Sequence, residues 1–91
     1  MKIVIDLDGE MDQYGPPIRR FTELMVEKLR KNIHKGKWKE KTREQAWRGL
    51  LAEIRELREA HEKDFPSADI IRECADVANF AMIMASIEER T

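Results

Sequence analysis

The sequence predicts an all-α fold: three stretches carry apolar residues at helical spacing, a proline- or glycine-containing break stands between each and the next, and no βα repeat is present. The 91 residues suffice for one domain and not two. The expected architecture is a three-helix bundle with a short extended N-terminal arm, assembling into a multi-helix oligomer.

Residues 1–17 are read as arm and loop, and residues 18–91 as the helical domain. Lys2 to Leu7 read KIVIDL, β-branched residues alternating with polar ones, as in a short strand or an extended arm. Asp8 to Pro17 contain Gly9, Gly15, Pro16 and Pro17 and are read as a turn or loop. The first helix is expected from Ile18 to His34, on the stripe Ile18, Phe21, Met25, Leu29 and Ile33. Pro17 suits its first turn and Gly36 a left-handed cap after it.

Lys35 to Lys41 read KGKWKEK, a basic loop with one tryptophan. The second helix is expected from Arg43 to Lys63, opened by a capping box of Thr42 and Gln45. Its apolar face is Ala46, Trp47, Leu50, Leu51, Ile54, Leu57 and Ala60. Gly49 inside it weakens the helix by about 1 kcal/mol relative to alanine, and close packing is the only reason that suggests itself. Phe65-Pro66-Ser67 breaks the chain, and the third helix runs from Ser67, as N-cap, to Glu89. Its stretch from Cys74 to Ile87 is apolar on nearly all sides, more than two other helices of a small chain can cover, so a second subunit is expected against it. Cys74, Ala78, Ala81 and Ala85 form a seam of small side chains that admits another helix.

Charged residues make up 38% of the chain and balance to a net charge of −1, which speaks against nucleic-acid and membrane surfaces as partners. One cysteine permits no intrachain disulfide, and no leader or spanning segment is evident; a cytoplasmic protein is expected.

The chemistry lies in four acids. Glu53 and Glu56 share a face of the second helix, and Glu73 and Asp76 repeat that spacing on the third. An E-x-x-E pair alone is an ordinary solvated face. Asp76, however, stands among Cys74, Ala75, Val77, Ala78 and Phe80, and a carboxylate that loses water there needs a cation, a basic group or a proton. Arg72 is the nearest cation on that helix. Two such pairs on antiparallel helices can converge, and their oxygens suit Mg²⁺, with Mn²⁺ as a substitute.

The string Glu53-Ile54-Arg55-Glu56, then sixteen residues, then Glu73-Cys74-Ala75-Asp76 resembles the E-x-x-E and E-x-x-D motifs of MazG-like pyrophosphohydrolases, relatives of the dimeric dUTPases. The continuation to Phe80 is also similar, and the resemblance spans Phe21 to Glu88. It implies Mg²⁺ held by Glu53, Glu56, Glu73 and Asp76, hydrolysis of a nucleoside triphosphate to the monophosphate and pyrophosphate, and a homodimer or homotetramer. Glu53 or Glu56 would take the proton of the attacking water. Many members carry a further acid where this chain has Ala52, so one metal is expected rather than two.

Lys35, Lys37 and Lys39 could neutralise a triphosphate, and Trp38 could stack on a base; the alternative is a solvated loop with Trp38 packed on the helices. Asn79 suits a ribose hydroxyl or phosphate, or a core backbone group. Asn32 could read a base edge. His34 and His61 are read as surface residues, and Cys74 as a small core residue. Val4 to Gly9 mimic the D-x-D-G motif of haloacid dehalogenase-type phosphatases, but the chain is too short for the parallel sheet that motif needs. The rival to the enzyme is a non-catalytic helical oligomer that binds a nucleotide or a protein.

Overall fold

The structure is a computed structural model that describes residues 4, 6–32 and 38–90. Three helices dominate it: α1 (Gly15–Lys31), α2 (Arg43–Glu62) and α3 (Ser67–Glu89). Short 3-10 turns cover Gly9–Tyr14 and Trp38–Glu40, and the described residues contain no strand. Most of the KIVIDL segment lies outside the described residues, as do Ile33 to Lys37 with the Gly36 cap.

Each boundary has a local cause. α1 begins three residues before the expected Ile18, because Pro16 and Pro17 lack only amide protons that a first turn leaves unused. It closes at Asn32, whose side-chain Nδ2 donates to the Lys28 carbonyl at 3.1 Å. α2 opens on the expected capping box: the Gln45 amide donates to Thr42 Oγ1 at 3.1 Å, and the Thr42 amide to Gln45 Oε1 at 3.0 Å. At its other end Phe65 N–H reaches the Ala60 carbonyl at 2.9 Å and Asp64 N–H that of His61 at 3.3 Å. This is a Schellman stop with Asp64, at φ 52°, in the left-handed position usually held by glycine. α3 corrects the expected cap: Pro66 stands at the N-cap position without a side-chain bond, and Ser67 is already the first helical residue.

α2 and α3 form an antiparallel hairpin. Arg43 binds Glu88 at 2.8 Å where α2 begins and α3 ends, and Gly49 meets Phe80 further in. Ala46, Ile83 and Ile87 make the core cluster, with Trp38 and Met84 packed against it. α1 lies against the other flank of α3 and has at most a glancing contact with α2. Among the described residues no large side chain is fully buried. On α3 the buried side chains are Ala75, Asn79, Ile83 and Ile87, while Ala81 and Ala85 of the small-residue seam are exposed. The apolar face of α2 is split likewise. Ala46 and Ala60 turn inward, whereas Trp47, Leu51 and Ile54 form an outer stripe, each more than 40% exposed.

Candidate metal centre

The hairpin sets Glu53 of α2 opposite Glu73 and Asp76 of α3. One oxygen from each of these three carboxylates lies within 4.8 Å of the others, close enough to share a cation. Glu56, the fourth acid of the sequence pattern, is exposed and stands outside this triad, within hydrogen-bond reach of Glu53. The crowding shows in the protonation behaviour. Burial, a hydrogen bond to Glu56, and repulsion from Glu56, Asp76 and Glu73 push the Glu53 carboxyl up to about 7. Burial first, then repulsion from Glu56 and Asp76, raises Glu73 as well, with Lys28 acting against the shift.

Two buried oxygens, Glu53 Oε2 and Glu73 Oε2, have no hydrogen-bond partner. Unpartnered buried acceptors are costly, and a divalent cation would satisfy both. An all-oxygen donor set from three carboxylates could hold a hard divalent cation.

Asp76 also has a counter-charge that no motif announced. Lys28 reaches across from α1 and places its Nζ 3.1 Å from Asp76 Oδ2. Arg72, the cation nearest on α3, pairs instead with Asp69 at 3.5 Å.

The triad sits at the edge of a cleft of about 580 Å³ between α1 and the hairpin. Its wall includes Glu53 and Asp76, the cations Lys28, Arg30 and Lys41, and the apolar side chains of Trp38, Phe80 and Ile83. This size and mixture of apolar and charged lining could admit a small ligand. Trp38 is half-buried in that wall, with the Arg90 guanidinium 6.0 Å above its ring. Trp38 packs on the core, as the alternative reading had it, and also lines the cleft. Lys39 is exposed and does not line the cleft; its backbone carbonyl accepts from Arg90 at 3.0 Å. Lys35 and Lys37 fall outside the described residues.

Asn79 is 6% exposed and also lines the cleft. Its Nδ2 donates to the Met25 carbonyl at 3.1 Å, while its Oδ1 has no partner. Of the two expectations for Asn79 the structure shows the backbone contact, which ties α3 to α1; its Oδ1 is left as an acceptor at the cleft. Asn32 lines the cleft too, with its amide engaged by the Lys28 carbonyl.

Sequence reasoning missed Lys28, Arg30 and Lys41. Lys41 lay in the basic loop and carried a signal of charge alone; Lys28 and Arg30 sit in an ordinary charged helix. His61 is exposed, as expected, and Cys74 is half-buried rather than part of the core. No family profile, curated protein or solved structure gives a significant match to this chain.

Proposed function

We propose that the chain is a Mg²⁺-dependent nucleoside triphosphate pyrophosphohydrolase of the MazG-like type, releasing the nucleoside monophosphate and pyrophosphate. The observation that carries this reading is the convergence of Glu53, Glu73 and Asp76, two of them with orphaned buried oxygens, at the edge of a largely apolar cleft that also carries Lys28, Arg30 and Lys41. Glu53, Glu73 and Asp76 would hold the ion, with Glu56 beside them as a further ligand or water-mediated contact. When bound, the ion neutralises phosphate charge and lowers the pKa of water.

The chain's own residues supply the rest. Glu53, or Glu56 beside the triad, would take a proton from the attacking water. Lys41 and Arg30 balance phosphate charge along the wall, and Trp38 and Phe80 offer apolar surface to the base. Lys35, Lys37 and Lys39 remain as outer phosphate contacts in this reading, and Asn79 as a contact to the sugar.

The assembly belongs to the same proposal. The outer stripe Trp47, Leu51 and Ile54 and the seam at Ala81 and Ala85 leave apolar surface that a homodimer or homotetramer would cover. Ala52, where many MazG-like chains carry an acid, favours the second reading, a non-catalytic oligomer that binds a nucleotide or protein. The test is a panel of nucleoside triphosphates incubated with the protein and Mg²⁺ and scored for pyrophosphate. Release from at least one supports the enzyme. A chain that Mg²⁺ stabilises but that releases no pyrophosphate supports the binder.

A further inference from the structure

Lys28 has a position that its surroundings in sequence do not explain. It projects from α1 into the cleft wall, with its side chain 21% exposed and that of its partner Asp76 22%. Among the described residues it is the one cation paired with the triad. Arg30 and Lys41 share the wall of the cleft without an ion pair to the triad.

Three carboxylates that close repel one another, and a single ammonium offsets only part of that repulsion. Lys28 engages Asp76 through Oδ2, and an ammonium and a divalent ion on one carboxylate repel each other, so each weakens the other's hold on Asp76. The lysine stem is long and flexible, and an ammonium is a good point-charge ligand for phosphate. The phosphates of the nucleotide would arrive in the same cleft as the ion.

We propose that Lys28 is an exchangeable counter-ion: it holds Asp76 while the metal is absent, yields that carboxylate to Mg²⁺, and turns to the phosphates of the incoming nucleotide. This rests on the pyrophosphohydrolase reading and adds a residue to it. Lys28 thereby makes metal and nucleotide binding cooperative. Mg²⁺ frees the lysine that the phosphates need, and phosphates draw away the lysine that competes with Mg²⁺.

The substitution Lys28→Met keeps the length of the stem and removes the charge. Mg²⁺ alone, titrated calorimetrically, is expected to bind the variant several-fold more tightly than the wild type. An α,β-methylene nucleoside triphosphate, which resists cleavage between the α- and β-phosphorus, is expected to bind about tenfold more weakly at saturating Mg²⁺, the loss of one charge-assisted contact. These opposite signs separate the exchange from a structural role, which would weaken both. Lys28→Gln should repeat the pattern, and metal-free melting of both variants checks that they fold. If Mg²⁺ binds the variants no more tightly, or the analogue binds them as well as the wild type, the exchange is overturned and the metal reading stands. A wild-type chain with no response to Mg²⁺ overturns both.

Discussion

The ring of Phe80 occupies the space that a side chain at position 49 would need: a Cβ built on Gly49 would stand 2.7 Å from Phe80 Cδ1 and 3.1 Å from Cζ. Helix propensity alone would make Gly49→Ala stabilising by about 1 kcal/mol. Overpacking of about 1–3 kcal/mol opposes it. The expected net effect is a loss of about 1 kcal/mol, read by urea denaturation. A second substitution, Phe80→Leu, should reverse the sign, so that Gly49→Ala becomes stabilising in that background.

Asp76→Asn removes a ligand of the proposed ion without changing size. In the metal-free protein two effects oppose each other. The part-exposed pair with Lys28 is lost, about 0–1 kcal/mol, and repulsion on Glu53 and Glu73 is relieved. Metal-free stability should therefore stay within about 1 kcal/mol of the wild type. The increase in melting temperature with Mg²⁺, and any release of pyrophosphate, should disappear. A variant that still responds fully to Mg²⁺ removes Asp76 from the site.

The raised Glu53 carboxyl sets the sign of a pH effect. Its folded value of about 7 lies above the ordinary 4.5, so between these values the folded chain binds more protons than the unfolded one. Its stabilising contribution is therefore complete below about 4.5 and is lost as pH rises through about 7. Glu73, raised for the same reasons, acts in the same direction. Without metal, melting at pH 8 should fall below melting at pH 6, and Glu53→Gln should flatten the difference. Mg²⁺ should raise the curve most at the alkaline end, where the carboxylates are free of protons.

Much of this architecture was legible in the sequence because local rules govern it. The bounds of α2 and α3 follow from Thr42, Gln45 and Pro66, and i, i+3 spacing puts each pair of acids on one face of its helix, from which the hairpin brings Glu53, Glu73 and Asp76 together. What escaped has a common physical cause. Lys28 comes to Asp76 from a third helix, across a separation that no periodicity marks. Gly49 could be read as close packing, but Phe80 as the partner depended on the register of the hairpin. The 3-10 turn at Gly9–Tyr14 falls in the expected turn or loop, whose winding glycine and proline signals do not specify, while Gly15 to Pro17 joined α1 instead.

Asp64 holds a left-handed conformation that costs a side-chain-bearing residue more than glycine. Asp64→Gly is expected to stabilise the chain by about 0.5–1 kcal/mol, because the Schellman stop keeps its hydrogen bonds. Thermal melting measures this. A destabilised variant would show that the aspartate contributes more than its backbone angle.

The proposed assembly can be challenged on each outer face. Ala81→Glu puts bulk and charge on the small-residue seam of α3, and Leu51→Lys does so on the outer stripe of α2. Sedimentation should show whichever variant lies in an interface as a smaller species than the wild type. A wild-type chain that sediments as a monomer at micromolar concentration removes the assembly from the proposal.

The attachment of α1 has a consequence for local stability. This helix rests on α3 and scarcely meets α2, and among the described residues its polar ties to α3 are Asn79 to Met25 and Lys28 to Asp76, of which Asn79, Lys28 and Asp76 line the cleft. Opening α1 therefore breaks few bonds of the hairpin, so α1 and the α2–α3 pair are expected to behave as separate units in hydrogen exchange. Amides of α1 should exchange faster than those of α2 and α3 in the free protein. Anything that bridges the two walls of the cleft adds its binding free energy to the closing of α1, so amide protection along this helix becomes a direct gauge of occupancy, even for a compound that is never turned over.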